Sequence, residues 1–348
     1  MKDNKKNQHL VPQTYLKNFA EAGTEQVYLY DKVNKYFIPR ATNVRNTIAR
    51  RYWYDIKINL EELEKLPDKE KYSKLFKENS HKQINEKILG VCEDHLKKIL
   101  ASLNNELNWN SLNNWFNRYL IYQLVAIQMI RTVAGKKMLR EMYSSLTGKI
   151  LDDNSINILL LKELLDILMD DRESVFVNFL FGEFNLVKIG EVEEVEETTT
   201  NISLITSDNP VSFIQNFKNS GKNALYYPLS IKHALILTRS ENPDYNSILN
   251  EEIKKFSEVH LQHLEDSYRV ATQIMIQAAD RYKNIYEDKN NVKVLFNEKD
   301  VAILNSLAFV TADQYIVSNS KLSDSQVLEF SYVEEGMIGT RKDIDSQP

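Results

Sequence analysis

The chain has 348 residues, enough for one large or two ordinary domains, with 44 Lys+Arg set against 49 Asp+Glu and a formal net charge of −5. That near-balance excludes a protein whose main task is to coat nucleic acid, and leaves room only for a local basic groove. A single cysteine, Cys92, excludes an internal disulfide and a cysteine-built metal cage.

The first six residues are charged and carry no apolar run, so no secretory signal is expected and a cytoplasmic protein is the natural inference. Next comes Asn7-Gln8-His9-Leu10-Val11-Pro12-Gln13-Thr14-Tyr15-Leu16-Lys17-Asn18-Phe19. Pro12 fixes its own φ and pushes Val11 into an extended conformation, which predicts a helix with Pro12 at its first position. Tyr15 and Phe19 then lie one turn apart, with Leu16 beside them, as an anchoring face. His9 falls just before the helix, where the dipole disfavours an imidazolium and biases the ring toward neutral. A neutral imidazole suits a general base or a metal ligand; it equally suits a ring that hydrogen-bonds exposed amides and pins the N-terminus.

Strand-like runs follow at 26–30, 36–39 and 48–54, the first two joined by a hairpin-length turn at 31–35. The last contains Arg50-Arg51-Tyr52-Trp53-Tyr54-Asp55, a mixture that can stack bases and hold phosphates, or simply face alternate sides of a strand. From 60 to 180 the chain reads as helical. Helices are expected over 82–103, over 107–139 with an interruption near Gly135, and over 156–169 and 174–181. The charge-free run 119–130 is too short for a bilayer, which needs roughly 20 apolar residues, so no membrane is expected. Strands are expected at 184–192, 202–206 and 234–238, with an acidic, solvated bridge at 191–197. Helices over 249–286 and 302–316 complete the pattern, and 321–348 reads as a peripheral tail. The fold class is α+β, helix-dominated, with a small N-terminal antiparallel β unit (7–56) and a second strand cluster around 184–239. Residues 1–320 form one domain, helical over 60–181 and 248–318.

The pattern His9-x-Val11-Pro12-x-x-Tyr15-Leu16-x-x-Phe19, followed by Val27-Tyr28-Leu29-Tyr30-Asp31-Lys32, resembles the bacterial DUF 4238 family. Arg131-Thr132, Ser207-Asp208-Asn209-Pro210-Val211, Tyr227-Pro228-Leu229-Ser230 and Leu304-Asn305 agree with it, so the likeness runs from about 9 to 318. It implies no defined activity. The family's distribution is similar to that of mobile-element and defence genes, which implies an antiphage setting.

Arg131 shares a helical stripe with Phe116, Leu120, Leu124 and Ile127. A guanidinium at the end of such a stripe must find an anionic or carbonyl partner. It serves either as an anion clamp for a phosphate or carboxylate, or as half of a buried ion pair. Asp208 follows a strand, and Asn209-Pro210 turns the chain there; loops on a rigid scaffold commonly carry sites, while Ser-Asp-Asn-Pro is also good turn chemistry. His260 and His263, at i and i+3 on one apolar stripe, are weak candidates for a divalent metal, with no carboxylate close by to complete a set. Cys92 lies on an apolar helical face and reads as core. No phosphate-binding Gly-rich loop, Gly-x-Ser-x-Gly elbow, His-Glu-x-x-His or dinucleotide fingerprint occurs.

The expectation is that His9, Arg131 and Asp208 converge in one cleft lined by Gln13, Tyr15 and Asn209. There Arg131 would bind an anion, His9 act as base or ligand, and Asp208 orient His9 or hold a cation. Such a site suits a hydrolase or nuclease-like effector acting on a nucleotide or nucleic acid in phage defence. The alternative is a non-catalytic binding or sensor protein whose motif polar residues are structural.

Overall fold

A computed structural model describes residues 7–57, 83–103, 115–169, 176, 180, 184, 186–193, 203–214, 223–239 and 293–331. The chain opens with β1 (Asn7–His9), which pairs antiparallel with β5 (Ala49–Arg51), His9 opposite Ala49. Between them lie α1 (Gln13–Leu16), continued by a 3-10 turn over Lys17–Phe19, and β2 (Gln26–Asp31), β3 (Tyr36–Phe37) and β4 (Thr42–Asn43). Pro12 stands one position earlier than its sequence suggests. Its ψ of 137° keeps it extended, and its carbonyl accepts the amides of Tyr15 and Leu16 at 3.1 and 3.0 Å. The expected strand at 48–54 shrinks to Ala49–Arg51, because Ile48 and Tyr52 on either side take positive φ, 49° and 53°.

Helices α2 (Ile84–Leu103), α3 (Trp115–Arg131), α4 (Val133–Thr147) and α5 (Asp153–Met169) pack on one another, and α1 lies against α2. Their apolar faces fill the main core, which includes Tyr15, Phe19, Val125, Ile130 and Leu164. The expected long helix breaks at Thr132, three residues before Gly135. Thr132 is extended and caps α4, its hydroxyl oxygen accepting the Gly135 amide at 3.0 Å. Gly135 itself is required by close approach: a Cβ there would meet the Met129 carbonyl oxygen at 2.0 Å.

The second half supplies β6 (Leu186–Val192), β7 (Thr206–Ser207), β8 (Ser212–Ile214), β9 (Ala224–Pro228), β10 (His233–Thr238), β11 (Lys293–Phe296), α6 (Glu298–Thr311) and β12 (Tyr315–Ser318). One sheet runs β11-β6-β10-β9-β8, antiparallel except for the parallel β11–β6 pair. The other runs β3-β2-β12-β7, with β4 also pairing to β2. The molecule is therefore α+β.

Four expectations need correction. The N-terminal β unit is not self-contained, since β12 inserts between β2 and β7. The strand expected at 202–206 is only Thr206–Ser207 and belongs to that N-terminal sheet; the peptide groups before it are taken by Asn305, whose side chain accepts from Ile205 N and donates to Ser203 O, both at 3.0 Å. The helix expected over 302–316 stops at Thr311, and Ile316 is buried in β12. Lys32 reaches its C-terminal end, donating to the carbonyls of Phe309 and Val310 at 2.9 and 3.1 Å. The tail is packed over part of its length: Leu322, Val327 and Phe330 are buried with Tyr30, Phe309 and Ile316 in a third apolar cluster. The expected helix over 249–286 with His260 and His263, and most of the expected helix at 174–181, lie outside the described residues. So do residues 194–197 of the acidic bridge, and 332–348.

Candidate functional site

Arg131 ends α3 with its side chain 2% exposed. Its NH2 donates to the His9 carbonyl at 2.8 Å and to Glu93 Oε1 on α2 at 2.9 Å. Tyr54 lies across the same junction, its hydroxyl contacting the carbonyls of Arg131 and His9 at 2.8 and 3.2 Å. Burial alone would lower the Arg131 pKa, but Tyr54 and Glu93 outweigh it and hold the guanidinium above its ordinary value. Its Nε has no hydrogen-bond partner among the described residues. Gln8 extends the network: its amide nitrogen donates to Asp55 Oδ1 at 2.8 Å, and its oxygen accepts the Tyr54 amide.

The His9 side chain points elsewhere. Its Nε2 lies 3.1 Å from the Arg45 carbonyl, which can only accept, so the tautomer with the proton on Nε2 suits that contact. Gln13 Nε2 sits 3.3 Å from each of the two ring nitrogens. Tyr15, expected to line a cleft, is fully buried: its hydroxyl donates to the Pro228 carbonyl at 2.7 Å, touches Thr206 Oγ1 at 2.8 Å, and its ring stacks on Tyr227.

Asp208 is 3% exposed and holds a different piece of main chain. Its Oδ1 accepts the Asp313 amide at 2.9 Å, and its Oδ2 those of Gln314 and Tyr315 at 2.8 and 3.2 Å. Those are the amides that would have continued α6, which gives the physical reason the helix ends. Burial pushes the Asp208 carboxyl up to about 6, with the three amides pulling against it. Asn209 donates to the Thr311 carbonyl at 3.1 Å and meets the Thr132 hydroxyl at 3.4 Å, so it joins the α3–α4 break to the end of α6.

The structure thus brings His9 and Arg131 together through a main-chain carbonyl. The carboxylate of Asp208 is bound to amides, with neither the imidazole nor the guanidinium among its partners. Several participants went unnoticed in the sequence. Glu93 stands among other charged helix residues and carries no local mark. Lys136, at the start of α4, donates to the Trp53 carbonyl at 2.6 Å and sits 3.9 Å from the centroid of the Trp53 ring. Burial pushes it down to about 7, opposed by Asp153 and reinforced by Arg140 and Arg50. Cys92, buried and raised to about 11 by that burial, is core as expected.

A cleft of about 180 Å³ opens beside the Asp208 junction, with Leu10, Ile38 and Ile48 among its apolar walls and Arg50, Asp208 and Tyr315 among its polar ones. Residues 7–173 and 194–322 match the model of a family described as a protein of unknown function, DUF4238. The chain belongs to the DUF4238 family. No curated protein and no solved structure matches it. In this DUF4238 chain the matched stretches include both main-chain clamps, around Arg131 and around Asp208, and the walls of the cleft. Among the described residues, no three His, Cys, Asp or Glu side chains cluster as a metal site, and no helix is long and apolar enough to cross a membrane.

Proposed function

We propose that the protein is a non-catalytic binding or sensor protein in which His9, Arg131 and Asp208 hold the architecture and the neighbouring cleft takes the ligand. The observation that carries this reading is the use of the Asp208 carboxylate by three successive amides. A general base must present its oxygens to the reacting group, whereas Asp208 spends three of its roughly four acceptor positions on main chain. Arg131, sealed from solvent between His9 and Glu93, is likewise placed to join elements rather than to clamp a substrate anion.

The competing hydrolase or nuclease reading has these three residues turning over a nucleotide or nucleic-acid phosphate, with or without a divalent metal, in antiphage defence. The two readings separate in a paired experiment on His9→Ala and Asp208→Asn. An architectural role lowers the melting temperature of both variants in step with any loss of function. A hydrolase would lose phosphate release from nucleotide or nucleic-acid substrates, assayed with magnesium or manganese, at an unchanged melting temperature.

A further inference from the structure

The polar wall of the cleft carries two opposite charges that are only partly engaged. A carboxylate offers about four lone-pair positions, and Asp208 uses three: two at Oδ2 and one at Oδ1. One acceptor position at Oδ1 remains. Arg50 is held in place with its guanidinium 4.8 Å from the Trp53 ring centroid and 3.5 Å from Asp313 Oδ2. At 3.5 Å the Asp313 contact is longer than an ordinary hydrogen bond, so the guanidinium still has donors for an outside acceptor. Asp313 links the two poles, because its amide is the group bound to Asp208 Oδ1 while its carboxylate faces Arg50. Acceptor and donor are therefore linked through a single residue.

The same cleft has an apolar wall. Leu10 and Ile48 meet there through the Leu10 amide, which donates to the Ile48 carbonyl at 3.0 Å, and Ile38 adds a third side chain. Ile48 takes this position with a φ of 49°, a conformation that a β-branched residue rarely adopts. Cavities of about 150 Å³ hold a benzene-sized molecule, and this one, at about 180 Å³, has room for a single ring or a branched alkyl chain.

We propose that the cleft binds a small zwitterion of the amino-acid class with an apolar side chain, its ammonium on Asp208, its carboxylate on Arg50 and its side chain against Leu10, Ile38 and Ile48. Charge-assisted bonds at both ends give the strongest polar recognition a site of this size can offer. The proposal rests on reading the protein as a binding protein, and names the ligand of that cleft. The raised Asp208 carboxyl adds a signature: as pH falls through about 6 the carboxylate takes up a proton and the ammonium loses its partner.

Isothermal titration calorimetry on the full-length wild-type chain tests it, with L-leucine and L-phenylalanine as probes. The controls are 4-methylpentanoate, which lacks the ammonium, leucinol, which lacks the carboxylate, and adenosine monophosphate. The expected result is binding of an amino acid, with each single-charge analogue weaker by about tenfold or more, and affinity falling between pH 7 and 5. Arg50→Gln, at a side chain 40% exposed, should bring leucine down to the level of leucinol. Failure of both amino acids to bind, equal binding of 4-methylpentanoate and leucine, or binding of adenosine monophosphate alone would each overturn the proposal. The analogue series uses the wild-type chain, so the outcome does not depend on the variant folding. Failure of the underlying reading shows elsewhere, in ligand-free melts of His9→Ala and Asp208→Asn that leave the melting temperature unchanged.

Discussion

The junction at Arg131 and the junction at Asp208 solve one problem with opposite charges. A cation at the end of α3 reads a carbonyl, that of His9, and an anion after β7 reads three amides, those of Asp313, Gln314 and Tyr315. Each fixes a segment that would otherwise carry unpaired main-chain groups into the interior. They differ in what neutralises the charge. Arg131 has a counterion in Glu93, so removing the guanidinium strands a partner carboxylate. Asp208 is held by peptide dipoles, and removing it strands only neutral amides. Loss of the buried guanidinium, which serves a carboxylate and a carbonyl at once, should therefore cost more than loss of the Asp208 carboxylate.

The largest expected effect tests that ranking. Arg131→Met keeps much of the side-chain volume but leaves Glu93 without its cation and the His9 carbonyl with only the longer Tyr54 contact, and should cost about 3–5 kcal/mol in a urea melt. A loss of under about 1 kcal/mol would mean that the ion pair contributes nothing beyond packing. Asp208→Asn comes next. An amide presents one acceptor and one donor face, so at least one of the three main-chain amides loses its partner, at about 1–3 kcal/mol. Hydrogen exchange adds a local readout, since the amides of Gln314 and Tyr315 should exchange faster in the variant than those of β9 and β10.

What the sequence disclosed follows from the same contrast. The apolar period of 3.6 was enough to predict α2, α5 and most of α3, because burial of one helix face leaves a mark on every turn. The strand expected at 234–238 is equally plain, and β10 covers it as His233–Thr238. By contrast, the end of α6 is invisible locally. Ile316 continues the apolar helical spacing, and what stops the helix is a carboxylate 105 positions away from the first amide it takes. The break at Thr132 was misplaced for a milder reason: Gly135 draws attention, yet it marks the close approach rather than the cap. At the candidate site, the unusual residues could be picked out but not their partners. Most of those partners are carbonyls and amides, which every residue carries alike, so no side-chain pattern announces them. Arg50 and Asp208 face one cleft only because β12 inserts beside β2, a pairing no local propensity encodes.

A third test concerns a charge that neither junction neutralises. Lys136 is buried against Trp53, and its pKa falls from 10.5 to about 7 because burial disfavours the ammonium; Arg140 and Arg50 reinforce the shift, and Asp153 on α5 opposes it. The folded chain then releases this proton at lower pH than the unfolded chain does. Between about pH 7 and 10.5 the unfolded state binds more protons, so stability rises with pH across that window and is lost as pH falls through it. Lys136→Met removes the dependence. Comparing urea midpoints of wild type and variant at pH 7 and pH 9 should show the wild type gaining about 1–2 kcal/mol relative to the variant, the ring and carbonyl of Trp53 holding the gain to that range. An equal shift in both proteins would place the ammonium in a site that tolerates its charge.

The smallest expected effect separates charge from hydrogen bonding at the helical junction. Glu93 is 24% exposed, so water already screens part of its charge, and Glu93→Gln keeps an oxygen that can accept from Arg131 NH2. The His9 carbonyl remains on the guanidinium, and Tyr54 still bridges the two carbonyls. The cost should stay below about 1 kcal/mol, less than for Asp208→Asn, even though both changes turn a carboxylate into an amide. The reason is geometric: one accepted bond survives the change at Glu93, whereas three donors converging on Asp208 cannot all be served by an amide. If Glu93→Gln proved the more damaging of the two, the counterion rather than the main-chain bond would be what holds α3 to the N-terminal segment. The parallel between the two junctions would then fail at its base.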